Sequence, residues 1–205
     1  MLVRNYQKEL DSIIDELQKE GKRPTLLMHA CCAPCSSYCV EYLSKFFDIA
    51  LYFYNPNIES DEEFEKRYAE FKKIVDRFNI KVVKETYNPD EFYSSVKGYE
   101  DCKEGGDRCT ICYRLRLQKS LEYAEANNYD YFCSTLSISP YKNAEKLNTI
   151  GEEISKGSKV KYLINDFKKK GGYLRSTELS KEMDLYRQDY CGCIYSIRDA
   201  IKENV

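Results

Sequence analysis

The residues of this 205-residue chain that offer the most chemistry are its ten cysteines. Cys31 and Cys32 are adjacent, and a trans peptide holds their Cα atoms about 3.8 Å apart. An unstrained disulfide needs about 4.4–6.8 Å between Cα atoms, so this pair is poorly placed to form one. Two thiolates that leave a loop in different directions can instead bind different irons of one cluster.

A second motif, Cys109-Thr-Ile-Cys112, opens a predicted helix. Positions three apart lie on one helical face with Cβ atoms about 5–6 Å apart, which suits two thiolates on one metal centre. The positive end of the helix also favours ionised thiols. With Cys31 and Cys32 this makes four thiolates, the usual ligand number of an iron–sulfur cluster and equally of a structural zinc site. The residues therefore indicate a metal without saying which one.

Cys191-Gly-Cys193 is the third cysteine feature. A bridge across a one-residue spacer closes a small, strained ring that is easily reduced, as expected of a catalytic dithiol. The same pair could instead chelate a second metal. Cys35 completes a C-x-x-C with Cys32, and we interpret it as a ligand, a reserve thiol or a residue at a helix start.

These residues must be positioned by a fold in which short apolar runs alternate with helical patterns. The predicted strands are Thr25–His29, Ile49–Tyr54, Ile80–Lys84, Tyr129–Leu136 and Val160–Ile164. The predicted helices cover residues 3–20, 36–47, 60–78, 89–97, 109–126, 144–156 and 177–187, with a last one after 193. This alternation indicates the α/β class: a single doubly wound, mostly parallel five-stranded sheet, Rossmann-like, with helices on both faces. We expect one domain over 1–205, in which 165–205 is a C-terminal helical extension that carries the C-G-C motif and completes the active site.

The predicted sheet also indicates where a ligand binds. In open parallel sheets, ligands bind beyond the carboxyl ends of the strands, where the strand order reverses. The first strand ends at His29, directly before the cysteine loop, and the fourth is followed by Tyr141 and Lys142. His29 is either a hydrogen-bonded strand-end residue or a group beside the metal that orients a ligand or donates a proton. Tyr141 and Lys142 are either surface residues or substrate contacts.

The amino-acid composition limits the kinds of partner that the protein is expected to bind. Thirty-two basic side chains against 34 acidic ones give a net charge of −2, which excludes a wholesale polycation. The apolar runs are too short to span a membrane, and the N-terminal segment lacks the apolar core of a secretion signal, so we expect a cytoplasmic protein. Basic side chains outnumber acidic ones by nine to four within 156–187 and by five to two within 103–119, both beside cysteine motifs. A local basic face beside a metal site suits a nucleic-acid backbone.

Together the motifs resemble the QueH-type epoxyqueuosine reductase family. The matching segments run in order over nearly the whole chain and are His29-Ala-Cys-Cys-Ala-Pro-Cys35, Tyr54-Asn-Pro-Asn-Ile58, Arg108-Cys-Thr-Ile-Cys112 with Arg114-Leu-Arg-Leu117, Ser139-Pro-Tyr-Lys142, and Tyr186-Arg-Gln-Asp-Tyr-Cys-Gly-Cys193. The resemblance implies a cobalamin-independent oxidoreductase of queuosine biosynthesis. Its expected reaction is a two-electron reduction that removes the epoxide oxygen of epoxyqueuosine in tRNA to give queuosine. The implied partners are the anticodon loop of that tRNA and an electron donor, with no membrane.

The resemblance also implies roles for the cysteines. It places a [4Fe-4S] cluster on a set of four, namely Cys31, Cys32, Cys109 and Cys112. It treats Cys191 and Cys193 as a redox-active disulfide. Two other functions stay open for the same residues: a zinc-stapled tRNA-binding module, and a metal-independent thiol–disulfide oxidoreductase.

The mechanism expected from both lines of reasoning assigns further residues. Tyr141 is the predicted catalytic proton donor, with His29 or a bound water as alternatives. Cys35 and His29 are expected as ligands or auxiliaries of a second metal, an additional iron. Lys142 and Arg187 are expected to bind substrate, and the loop Lys168–Arg175 to seat tRNA phosphates.

Overall fold

The sheet at the centre of the fold has five strands in the computed structural model, which describes residues 4–188 and 190–203. They are β1 (Thr25–His29), β2 (Asp48–Phe53), β3 (Lys81–Lys84), β4 (Tyr131–Ser134) and β5 (Lys161–Tyr162). All neighbours pair in parallel, in the order β3-β2-β1-β4-β5. The predicted five-stranded α/β sheet is confirmed, although β4 and β5 are shorter than expected.

The central strand β1 explains why the sheet folds as it does. Leu26, Leu27 and Met28 are completely buried, as expected for a strand that carries helices on both faces and therefore reads as a continuous apolar run. At the edge, Lys81 and Lys84 begin and end β3 in exposed positions. Because β1 lies between β2 and β4, the strand order reverses at the carboxyl end of β1.

Helices cover both faces of this sheet. They are α1 (Tyr6–Lys19), α2 (Ala33–Leu43), α3 (Asp61–Ala69), α4 (Phe71–Phe78), α5 (Pro89–Ser95), α6 (Asp107–Ala126), α7 (Ala144–Ile154), α8 (Gly172–Glu182) and α9 (Ile194–Glu203). Helix α2 contacts α4, and α6 contacts α7. With this strand order, the right-handed rule for parallel crossovers assigns the two pairs to opposite faces. Helix α8 packs against α2. A 3₁₀ turn, Thr135–Ile138, follows β4. Within the described residues, no helix has the length and apolar character needed to cross a membrane.

Two predicted helices begin or continue differently. Helix α2 starts at Ala33 rather than at residue 36 because Pro34 fits its first turn, where a missing N–H costs nothing. This places Cys35 in the first turn of α2. The predicted helix 60–78 is divided at Glu70 into α3 and α4.

Residue 3, at the start of the first predicted helix, and residue 189, within the Tyr186–Cys193 motif, lie outside the described residues.

Helix α8 lies five residues earlier than the predicted helix 177–187. It starts at Gly172, a position that the sequence assigned to a glycine loop. A Cβ atom there would lie 2.0 Å from the Phe167 carbonyl oxygen and 2.5 Å from the Tyr38 ring. Gly172 therefore permits the close approach of α8 to α2. The helix ends before Asp184, whose φ of 47° is left-handed.

Candidate metal and dithiol site

The candidate site lies at the carboxyl end of β1, where the strand order reverses. His29 ends β1 and pairs in register with Tyr52 of β2 and Ser134 of β4. The chain then passes through Cys31 and Cys32 into α2. The position expected for a ligand in a doubly wound sheet is therefore occupied by thiols.

Three thiols form the first part of the site. The Sγ atoms of Cys31, Cys32 and Cys35 all lie within 4.8 Å of one another, and those of Cys31 and Cys32 are 3.8 Å apart. Hydrogen bonds from the Cys32 and Cys35 thiols, together with the Arg116 charge, hold the pKa of Cys31 well below its usual value. A hydrogen bond to Cys31, together with burial, raises the pKa of Cys32 to about 12. Within this group the thiolate form is therefore most favoured at Cys31.

Helix α6 supplies the second part. Cys109 and Cys112 lie in its first turns, and both side chains are buried. The backbone N–H of Gly105 donates to Cys109 Sγ at 3.2 Å. Burial raises the pKa of Cys112 to about 11 and also raises that of Cys109. Without a bound metal, these raised pKa values keep both thiols protonated at neutral pH.

Arg116 connects the cysteine motifs. Its side chain is buried, with Nε donating to His29 Nε2 at 3.2 Å and Nη2 donating to Asn55 Oδ1 at 2.6 Å. Its guanidinium also hydrogen-bonds Cys112 and interacts electrostatically with the thiols of Cys31 and Cys191. One buried cation thus lies within range of all three motifs. Burying a charge is expensive unless it is paired, which these contacts achieve.

His29 is held by protein groups on both sides of its ring. Its Nδ1 contacts Ser134 Oγ at 2.8 Å, and its Nε2 contacts the Tyr54 carbonyl oxygen at 3.0 Å in addition to Arg116. Burial and the Arg116 charge lower the pKa of His29 to about 3. The imidazole is therefore neutral at physiological pH, and both ring nitrogens already have partners.

The C-G-C segment forms the third part. Cys191 and Cys193 are free thiols on either side of Gly192, whose φ of 101° is accessible to glycine and strained for other residues. The Gly192 carbonyl accepts from the Glu59 N–H at 2.9 Å, and Cys193 Sγ accepts from the Ser196 N–H at 3.4 Å. A hydrogen bond from the Cys193 thiol, assisted by Lys142 and Arg116, lowers the pKa of Cys191 to about 5. Cys191 is therefore a thiolate at neutral pH, with its thiol partner two residues away.

Lys142 is a buried part of this site rather than a surface residue. Its Nζ pairs with Glu104 Oε1 at 2.7 Å, and Glu104 Oε2 accepts from Ser196 Oγ at 2.9 Å. Ser196 Oγ in turn accepts from the Cys191 N–H at 3.3 Å. A continuous polar chain therefore connects the loop after β4 with the C-G-C segment.

The other predicted substrate residues lie at the surface. The Tyr141 side chain is 75% exposed. Arg187 is exposed, donates to Ser180 Oγ at 3.2 Å and lies over the Tyr173 ring. Within Lys168–Arg175, several basic groups are engaged in ion pairs: Lys168 with Asp166, Lys170 with Asp11, and Arg175 with Glu41, Glu178 and Glu182. That loop offers less free positive charge to phosphates than its composition indicates.

Sequence reasoning gave no role to several residues of the site. Arg116 lies four positions after Cys112, and that spacing places both on one helical face, so helix periodicity could have identified it. Tyr113 carries the same signal, because it lies four positions after Cys109 on that helix, whereas Arg67 and Glu104 carry none. Arg67 and Glu104 reach the site from segments distant in sequence from the motifs that they contact.

The comparisons with known proteins bear on this geometry. A family model described as "Epoxyqueuosine reductase QueH" matches residues 26–199. This chain belongs to the epoxyqueuosine reductase QueH family. Relatives named epoxyqueuosine reductase QueH include one from Streptococcus pyogenes, 42% identical over 95% of this chain and 78% of the relative. Another, from Staphylococcus epidermidis, is 40% identical over 98% of this chain and 87% of the relative. A third, from Thermotoga maritima, is 36% identical over 84% of this chain and 90% of the relative.

A solved structure shares the fold. The U34-tRNA thiolase NcsA from Methanococcus maripaludis, determined with its [4Fe-4S] cluster, superposes with a TM-score of 0.57 at 14% identity. The match covers 96% of this chain and 73% of the thiolase. At that identity the likeness shows the α/β architecture alone. The family and the fold class expected from the sequence are both confirmed.

Proposed function

We propose that this protein is an epoxyqueuosine reductase, which removes the epoxide oxygen of epoxyqueuosine in tRNA by two-electron reduction and yields queuosine. Membership of the QueH family supports the reaction. The structural observation that carries the proposal is the grouping of three cysteine motifs around the buried cation Arg116. A protein that only bound tRNA would not need a thiol of lowered pKa, such as Cys191, beside a second thiol, Cys193.

A [4Fe-4S] cluster is proposed on four thiols, namely those of Cys31, Cys32, Cys109 and Cys112. The donor set fits, because four cysteine ligands are usual for such a cluster. Two buried donors beside these thiols, Arg67 Nη2 and Tyr113 Oη, find no acceptor among the described residues, so the site has unused hydrogen-bonding capacity. A cluster bound there supplies one-electron transfer and Lewis acidity.

The proposed role of Cys191 and Cys193 is to deliver electrons by closing their disulfide. Oxidation of two thiols to a disulfide releases two electrons and two protons. Conversion of an epoxide to an alkene consumes two electrons and two protons and releases water, so the two half-reactions balance. The low pKa of Cys191 provides the thiolate that disulfide chemistry requires. An external electron donor then restores the thiols. In the alternative arrangement, the pair holds a reacting metal together with Cys35.

The remaining site residues stay proposals of the same mechanism. Tyr141 is exposed and free to approach a bound substrate, which supports its role as proton donor. Lys142 is proposed to contact the substrate beside the dithiol, and Arg187 to contact it at the surface. Cys35 is proposed as a ligand of an additional iron. His29 is proposed to act as an auxiliary, by supporting Arg116, because both of its ring nitrogens have protein partners.

The proposed substrate is tRNA, presented through an unpaired anticodon loop in the cytoplasm. Base chemistry on a nucleic acid requires the target base to be accessible outside a stacked helix. The family supports tRNA as substrate. Of the five basic side chains within 103–119, Arg108 and Arg116 are buried. The other three, Lys103, Arg114 and Lys119, are the first candidates for phosphate contacts.

The experiment that tests this function converts the substrate directly. The protein is purified without oxygen and incubated with tRNA that carries epoxyqueuosine and with a chemical reductant, and the nucleosides are identified by mass spectrometry. We expect queuosine to form. The Cys102→Ser variant is the control and should form it as well, because Cys102 lies outside the three motifs. Unchanged epoxyqueuosine, with the iron–sulfur centre shown to be intact, would contradict the proposal.

A zinc-binding module is the second candidate, and one distance favours it. With Zn–S bonds of about 2.3 Å, a tetrahedral site separates its sulfurs by about 3.8 Å, which is also the Cys31–Cys32 separation. A colourless, zinc-loaded protein from oxygen-free purification would support this candidate. Reductase activity that survives removal of metal by chelation would instead support a thiol–disulfide oxidoreductase.

A further inference from the structure

Two buried hydrogen-bond donors flank the cysteine motifs. Neither Arg67 Nη2 nor Tyr113 Oη has a hydrogen-bond partner among the described residues. The exposed fraction of Arg67 is 2% and that of Tyr113 is 3%. Buried polar groups in native proteins are almost always paired, because an unpaired one forfeits its hydration. An acceptor outside the protein chain is therefore implied at both positions.

The hydrogen bonds that hold Arg67 in place do not use one of its amino groups, Nη2. Its Nε donates to Glu63 Oε1 at 2.6 Å, and its Nη1 donates to the Cys191 carbonyl at 3.3 Å. The guanidinium packs against Gly192, where an added Cβ would lie 2.9 Å from Nη2. The thiols of Cys31 and Cys32 interact electrostatically with it. The guanidinium also lies 5.2 Å from the Tyr190 ring centroid and interacts with the Tyr190 hydroxyl, but Nη2 itself has no hydrogen-bond partner among the described residues.

Tyr113 approaches from the opposite pair of cysteines. It directly follows Cys112 on α6 and lies one helical turn after Cys109, so it shares a face with Cys109. Its hydroxyl is within electrostatic range of Cys109, Cys191 and Lys142. A buried tyrosine hydroxyl is expected to have an acceptor. Beside Tyr113 the neighbouring cysteines offer sulfur atoms for that role.

We propose that Arg67 Nη2 and Tyr113 Oη are hydrogen-bond donors to the sulfur atoms of the iron–sulfur centre, one beside each pair of cysteines, and that they set its reduction potential. This inference rests on the proposed function, since it needs the cluster to be bound. Hydrogen bonds to cluster sulfurs and nearby charge are among the factors that fix such potentials. Both donors stabilise the more negative, reduced state, so their removal lowers the potential. Neither residue is required as a ligand.

The test compares two matched tyrosine variants. Tyr113→Phe removes only the buried hydroxyl, and Tyr141→Phe removes an exposed one. After anaerobic reconstitution and analysis of iron and sulfide, the potential is measured by spectroelectrochemical titration. We expect Tyr113→Phe to keep its cluster and to weaken one-electron reduction about tenfold, which corresponds to a fall of about 59 mV. We expect Tyr141→Phe to leave the potential unchanged.

Arg67→Lys provides the second arm, because it keeps the positive charge and removes Nη2. We expect the same direction of change, at least about threefold or about 28 mV, and thermal unfolding of the metal-free protein verifies that the variant is folded. Unchanged potentials in Tyr113→Phe and Arg67→Lys would overturn the inference, as would an effect of Tyr113→Phe confined to the KM for tRNA. Wild-type protein that holds no iron–sulfur centre would instead refute the proposed function.

Discussion

Replacement of Arg116 by glutamine is the most informative single perturbation of the site. The change leaves His29 Nε2, Asn55 Oδ1 and the Cys112 thiol without their buried cationic partner. Two charge-assisted hydrogen bonds at about 1.5–3 kcal/mol each, in a buried network, predict a loss of about 3–6 kcal/mol in the free energy of unfolding. For a chain of this length, that loss lowers the melting temperature by about 6–24 °C.

The assay is urea and thermal unfolding of the metal-free, reduced protein, so that cluster loss does not enter the measurement. Arg114→Gln is the matched control on the same helix. The ion pair of Arg114 with Glu153 is solvent-exposed, with side chains 49% and 53% accessible, and such pairs contribute about 0–1 kcal/mol. The reasoning would be refuted if the two variants differed in unfolding free energy by less than about 1 kcal/mol.

Three further predictions concern the cysteine segments. Gly192→Ala places a Cβ 2.8 Å from Arg67 Nη1, whereas the Cβ of Gly157→Ala meets open space. Both glycines have positive φ, so we attribute the difference to overpacking and expect Gly192→Ala to lose about 1–3 kcal/mol more unfolding free energy. Equal urea midpoints for the two variants would contradict it. In metal-free protein, the rate at which Cys191 reacts with iodoacetamide should fall as the pH drops through about 5, because the lowered pKa keeps the thiolate present above that value. The rate is measured by peptide mass spectrometry, and a midpoint near pH 9 would contradict the prediction. Cys109→Ser should abolish both the colour of the cluster and turnover, whereas Cys191→Ser should keep the colour and stop turnover. Absorbance spectra and nucleoside analysis measure both, and persistence of colour and activity in Cys109→Ser would show that the ligand set is wrong.

The sheet could be predicted from the sequence because its strands are short apolar runs bounded by turn residues. The first strand, Thr25–His29, has the same bounds in the sequence pattern and in the structure. The position of the cysteine loop then follows from strand order alone, since ligands of parallel sheets bind where that order reverses. Helix α8 could not be placed, because Gly172 is a loop signal in isolation and a close-packing residue only once Tyr38 is beside it.

The charged groups of the site show where sequence reasoning ends. Composition could count the basic residues of Lys168–Arg175, but their partners Asp11 and Glu41 lie more than a hundred residues earlier. The sequence leaves Lys142 as either a surface residue or a substrate contact, and its burial depends on an ion pair with Glu104, from a different loop. Which charges remain free is decided by tertiary contacts that local patterns do not encode.

Metal analysis of anaerobically purified protein tests the central claim most directly. The measurement is iron, zinc and acid-labile sulfide per chain, taken together with the absorbance spectrum. Coordination by two cysteine pairs predicts about four irons and about four sulfides in a brown protein, with any additional iron raising only the iron count. One zinc per chain, no sulfide and no colour would contradict the account.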